Sequence, residues 1–143
     1  MIALGSDHGG YELKQEIKKY LDETGIQYKD FGCNSTESCD YPEYAKAVAQ
    51  SVSKGECEKG ILICGTGIGI SIAANKVKGI RAAVCTDCFT AEATRLHNDA
   101  NILALGGRVV GAGLAIKITD TFLNTEFSGD ERHKRRISQI ESV

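Results

Sequence analysis

No stretch of this sequence is apolar for anything near the roughly 20 residues that a membrane-spanning helix requires. The opening segment, MIALGSDHGG, lacks the basic flank and long apolar run of a secretory leader, so the expectation is a soluble, cytoplasmic protein. Neither sign of charge prevails. The formal net charge is −2 at pH 7, which gives no whole-molecule attraction to nucleic acid or to an anionic membrane. Hydrophobic residues make up 42% and charged residues 25% of the chain, which argues against disorder and simple repeats. A length of 143 residues suits one domain, residues 1–143, with enough chain to bury a core. The six cysteines (33, 39, 57, 64, 85, 88) come without an export signal, so they read as mostly reduced thiols rather than a disulfide framework.

Short apolar runs alternate with longer amphipathic ones. Ile2 to Leu4 reads as a strand and Tyr11 to Glu23 as a helix with Leu13, Ile17, Tyr20 and Leu21 on one face. Gly25 stands where a C-cap belongs. Ile26 to Phe31 is a weaker strand. A polar loop then leads to Tyr41-Pro42 and a helix through Ala45, Val48, Ala49 and Val52. Gly60 to Cys64 is apolar throughout, as a strand covered on both faces should be. Ile80 to Cys85 and Asn101 to Leu105 complete five strands. Helices follow from Asp87 to about His97 and from Ala112 to Leu123, with a last basic helix after Gly129-Asp130. Strands alternating with helices imply right-handed βαβ units and one doubly wound parallel five-stranded sheet, Rossmann- or flavodoxin-like, with an extra C-terminal helix. In such sheets ligands bind beyond the carboxyl ends of the strands. The residues there are Ser6 to His8, Cys64 to Gly69, Cys85 to Asp87 and Gly106 to Arg108.

Gly65-Thr66-Gly67-Ile68-Gly69 is the most informative segment. Its glycines let successive N–H groups converge at a helix start, a nest for a phosphate or a developing oxyanion. A dinucleotide fingerprint would need glycine at position 70, where Ile stands, and a P-loop would need Gly-Lys-Ser/Thr. A ligand-free tight turn is the alternative. Cys64 stands immediately before it, where a helix N-terminus favours the thiolate, although a buried inert thiol is equally compatible. Thr66 can hydrogen-bond that sulfur or a substrate. Asp7 and His8 can bind sugar hydroxyls and phosphate, and Asp7 can equally be a helix N-cap. His97 and Asn98 fall at a helix C-terminus, which favours a protonated imidazole and a proton donor; a surface C-cap is the bland alternative. Arg132 and Arg136, one helical turn apart, could clamp a phosphate or simply line a solvated face. Without interleaved aromatics that run does not suggest nucleic acid. Cys85-Thr-Asp-Cys88 could be a redox pair or half a zinc site, but there is no second C-x-x-C, so coincidence is favoured.

The ordered set GSDHGGYELK, DYPEYA, GILICGTGIGISIAANK, IRAAVC, RLHNDANILALGGRVVG and GDERHKRR resembles the type B ribose-5-phosphate isomerase family, whose relatives include the galactose-6-phosphate isomerase subunits. The resemblance runs through essentially the whole chain. It implies an aldose–ketose isomerase acting on ribose 5-phosphate and ribulose 5-phosphate in the pentose phosphate pathway, with no metal and no cofactor. Cys64 matches the family's proton acceptor; a glutamate after the glycine loop, used by part of the family, is replaced here by Ile70. Gly65 to Gly69 would hold the enediolate oxyanion. His97 matches the ring-opening residue and Asn98 a sugar contact. Asp7 and His8 match the substrate-binding pair, Tyr41 lies near the sugar, and Arg108, Arg132 and Arg136 surround the phosphate. The resemblance also implies a homodimer or homotetramer with sites across the subunit interface. The alternatives are an isomerase of a six-carbon sugar phosphate and a non-enzymatic phosphosugar- or nucleotide-binding module.

Overall fold

A computed structural model describes all residues, 1–143. Five parallel strands form one sheet in the order β2-β1-β3-β5-β4: β1 Ile2–Ser6, β2 Tyr28–Asp30, β3 Lys59–Cys64, β4 Ala82–Val84 and β5 Ile102–Gly106. The helices are α1 Tyr11–Glu23, α2 Tyr41–Ser53, α3 Ile68–Ala74, α4 Cys88–Asn98, α5 Ala112–Asn124 and α6 Glu131–Glu141, with a single 3₁₀ turn at His8–Gly10. Every element expected from the sequence is present. The edge strands β2 and β4 are three residues each, shorter than the apolar runs that announced them. The flanking residues of those runs, Ile26, Phe31, Ile80 and Cys85, pack into the two cores, and Phe31 N and Cys85 N still donate to Leu4 O at 2.8 Å and Ala104 O at 3.2 Å, one residue past the assigned strands.

The strand order departs from a simple progression, because β5 is inserted between β3 and β4. Helix α3 therefore crosses over β5 to reach β4, and α4 returns the chain on the other face. Two cores result. One joins Leu13, Ile17 and Leu21 of α1 with Ala91 of α4 and Ala115, Ile118 and Phe122 of α5. The other joins Ala45, Val48, Ala49 and Val52 of α2 with Ile70 and Ala74 of α3. The spacing i, i+4, i+8 of Leu13, Ile17 and Leu21 puts all three against the sheet, each worth about 1.5–3 kcal/mol of burial. No helix is long and apolar enough to cross a membrane.

Chain direction now locates the site. After β1 and after β5 the chain turns to the α1/α5 face, whereas after β3 it turns to the α2/α3 face. A crevice opens wherever neighbouring strands send their connections to opposite faces. Here that happens on both sides of β3, so the turn after Cys64 stands between two switch points.

Candidate active site

Three turns meet above β3 and are tied together by backbone hydrogen bonds. Asp7 N donates to Ile63 O at 3.2 Å, Gly107 N to Cys64 O at 2.8 Å and Arg108 N to Gly65 O at 3.0 Å. The approach is close enough to require glycine. A β-carbon on Gly107 would stand 2.6 Å from the Gly9 carbonyl oxygen. Gly67 has φ +80° and a β-carbon there would lie 2.9 Å from the Leu105 carbonyl carbon, so neither backbone conformation nor space admits another residue.

Cys64 is buried, 4% exposed, and its Sγ accepts the Gly67 amide hydrogen at 3.1 Å. That bond stabilises a thiolate more than a thiol. Thr66 does not touch the sulfur. Its Oγ1 accepts the Ile68 amide at 3.2 Å, because the loop curls back on itself and Gly67 occupies the place beside Sγ. The amides of Gly65, Thr66, Gly69 and Ile70 find no acceptor within the chain, leaving four donors free in the turn that follows Cys64. Gly69 lies under the Tyr41 ring: a β-carbon there would meet the phenol oxygen at 2.7 Å. The Arg108 guanidinium lies over Gly65, its Nη1 3.5 Å from where a β-carbon would be, and it forms no ion pair in the chain.

Asp7 takes the capping role that the sequence allowed. Its Oδ1 caps the 3₁₀ turn by accepting from Gly10 N at 3.1 Å, and no group of the chain donates to its other oxygen. His8 Nδ1 accepts the Cys39 amide hydrogen at 3.2 Å. An accepting Nδ1 leaves the ring proton on Nε2.

The remaining candidates are elsewhere. Helix α4 runs antiparallel to the strands, so His97 and Asn98 sit at the opposite end of the sheet from Cys64. The backbone makes the separation plain, since Asn98 O accepts from Arg81 Nε and the chain re-enters the sheet at Ile102, paired with Gly60 at the start of β3. From there to Gly106, level with Cys64, lies about 13 Å of strand. His97 stacks on His133 of α6, ring centroids 4.5 Å apart at 24°. Burial, followed by the neighbouring His97 and Arg132 charges, holds His133 below the usual histidine range. Arg132 lies beside that stack, its Nη2 3.4 Å from His133 Nε2, and Arg136 is one turn further along α6. One chain thus assembles Asp7, His8, Tyr41, Cys64 to Gly69 and Arg108, and separately His97, Asn98, Arg132 and Arg136.

A family model described as Ribose/Galactose Isomerase matches residues 2–140. The chain belongs to the ribose/galactose isomerase family. It is 51% identical over 142 residues to the ribose-5-phosphate isomerase B of Escherichia coli, covering 99% of this chain and 95% of that one. It is 56% identical over 140 residues to a putative sugar phosphate isomerase of Bacillus subtilis, covering 97% and 93%. The solved ribose-5-phosphate isomerase B of Clostridium thermocellum superposes with TM-score 0.97 at 57% identity, covering 99% of this chain and 95% of that one.

Within this family member, sequence reasoning passed over three groups that stand out in the structure. His133 lay inside the basic run; it is the buried residue of α6, with Ile137 half-buried one turn further on, and that i, i+4 spacing could have separated it from its charged neighbours. The Cys39 amide leaves no trace in residue type. Lys14, fully buried on α1, carries nothing in the sequence that sets it apart from Lys18 and Lys19 of the same helix. Cys85 and Cys88 are free thiols, with Cys85 buried in the core and its thiol pushed up by that burial.

Proposed function

We propose that this chain interconverts ribose 5-phosphate and ribulose 5-phosphate, with Cys64 as the base. The observation that carries the reading is the Cys64 sulfur held by the Gly67 amide at the head of a turn with four amides without partners. In the open-chain aldose the C1 carbonyl acidifies the C2 hydrogen. The Cys64 thiolate takes that proton, and the charge passes to the carbonyl oxygen, where the free amides of the 65–70 turn receive it. The protonated Cys64 returns the proton to C1 while a proton moves from the C2 hydroxyl to O1, and the carbonyl ends on C2. Donors aimed at such an oxyanion contribute about 2.7–4 kcal/mol each in other enzymes, and a placed base adds roughly 10²–10⁴-fold. His8, Asp7 and Tyr41 orient the sugar, and Arg108 meets the phosphate, whose binding energy fixes the reacting carbons. Proton transfer and charge stabilisation are both supplied by the chain's own groups, so the reading needs no metal or cofactor.

The same reading requires a second copy of the chain. His97 for ring opening, Asn98 for the sugar and Arg132 and Arg136 for the phosphate stand too far from Cys64 to share a substrate with it in one protomer. They are also exposed. A symmetric dimer that sets the α4–α6 region of one protomer over the Cys64 turn of the other completes two equivalent sites. Such a metabolic enzyme would work in the cytoplasm.

The test is conversion of ribose 5-phosphate by chelator-treated protein, with Cys64→Ala run in parallel. Turnover in the wild type and its loss in the variant support the reading. No turnover with ribose 5-phosphate but turnover with a six-carbon aldose phosphate would replace the substrate, and equal turnover in both proteins would remove Cys64 as the base.

A further inference from the structure

Lys14 is fully buried on the sheet side of α1, a placement that a cation keeps only when its donors are matched. Its Nζ donates to Asp30 Oδ1 at 2.7 Å and to the Cys33 carbonyl at 2.5 Å. Asp30 Oδ1 also accepts the Gly32 amide at 2.9 Å, and Oδ2 accepts Lys18 Nζ at 3.1 Å. Burial pushes the Asp30 carboxyl up, but the hydrogen bonds from Lys14, the Gly32 amide and Lys18 outweigh it and hold the group below the usual carboxylate range.

This clamp acts on the chain just after β2. There Ser6 N donates to Gly32 O at 2.7 Å and Cys33 N to Ser6 O at 2.8 Å, fastening the segment to the end of β1. His8 stands two residues beyond Ser6. The polar loop that starts at Cys33 returns at Cys39, whose amide donates to His8 Nδ1. Lys14 therefore touches no part of the site, yet it fixes the base of the loop that sets the His8 ring.

We infer that Lys14 is a positioning residue for His8. By clamping residues 30–33 against β1 it keeps the Cys39 amide on Nδ1 and the ring proton on Nε2, where it can be donated to a phosphate or sugar oxygen. The inference rests on the reading that places His8 in the substrate site. A carrier of charge is used, rather than an apolar side chain, because the segment offers bare carbonyl and carboxylate oxygens that need a donor.

The chain has three histidines, so imidazole ¹⁵N spectra of the whole protein resolve each ring, and His8→Ala identifies its signals. The wild type is expected to show His8 as the single Nε2–H tautomer above the histidine titration range. Lys14→Met, of similar length without charge, should give a mixture of tautomers and raise KM for ribose 5-phosphate about tenfold with kcat nearly unchanged. Asp30→Asn, at a partly exposed position, should do the same more weakly and carries the test if Lys14→Met does not fold. In a His8→Ala background, Lys14→Met should add no further loss. A pure Nε2–H tautomer in the folded variants, or an undiminished KM effect without His8, overturns the inference. An unchanged KM in His8→Ala alone overturns the placement of His8, while the tautomer measurement still decides the role of Lys14.

Discussion

The turn above β3 and the region around the end of α4 both contain residues proposed for one reaction, yet they are built in opposite ways. Around Cys64 the architecture is backbone. Three turns are hydrogen-bonded to each other, glycines allow their close approach, and Cys64, the proposed base, is buried with an amide on its sulfur. Around His97 the architecture is side chain. His97, Asn98, Arg132 and Arg136 are exposed, and the contact that organises them is the stack of His97 on the buried His133. The first region is preorganised by its own chain. The second offers its groups outward, as a surface does that is finished by something placed opposite.

The largest break in that comparison is Cys64→Ala, expected to lower turnover about 10²–10⁴-fold while ribose 5-phosphate still binds, as read by calorimetric titration. His97→Ala should be impaired mainly with the ring-closed sugar. Mixing the two variants after reversible dissociation sharpens the comparison, because each protomer retains what the other has lost. In a dimer with shared sites, random reassortment should restore roughly a quarter of wild-type activity, whereas sites confined to one chain would restore none. Gly67→Ala comes next. It places a side chain against the Leu105 carbonyl at positive φ, and a displacement of the turn by about 1 Å can cost about 10²-fold in turnover, with the α4–α6 region unaffected in its amide spectrum.

The smallest effect concerns pH and the second region alone. His133 has a folded-state pKa below its ordinary value, chiefly through burial, so the fold favours the neutral ring. The stability this contributes is fully present above the unfolded value near 6.5 and is lost as pH falls below it towards the folded value. Thermal unfolding followed from pH 7.5 to pH 5 should therefore show an acid loss confined to α6 contacts, and His133→Phe, which keeps an aromatic face without titrating, should flatten it. An unchanged acid limb in that variant would show that other groups govern it.

The fold was readable because its apolar runs follow two clear periods. Gly60 to Cys64 is continuous, and Leu13, Ile17 and Leu21 repeat with the helix. The insertion of β5 between β3 and β4 was not readable, since strand order depends on which crossover packs and leaves no local pattern. At the candidate site, the placement of Cys64 and the glycine turn was legible because it follows from residue type and from position after a strand. Thr66 was read as a partner for the sulfur or for a substrate; the donor found on Sγ is the Gly67 amide, which the sequence could not show because an amide has no letter of its own. For the same reason the Cys39 amide on His8 was invisible. The division of the candidates into two regions follows from α4 running against the strands, a direction that the alternation of elements already implied.

Placing β5 beside β3 has a consequence for how the molecule comes apart. It gives the strand that ends in Cys64 a paired neighbour on each side for almost its whole length, so the amides of β3 should be among the last to exchange with deuterated solvent. Helix α6, which presents mostly exposed residues and buries His133, should open far earlier. Local unfolding would then release the arginines proposed for the phosphate while the turn proposed for proton transfer stays intact, so activity would be lost on warming before the sheet melts.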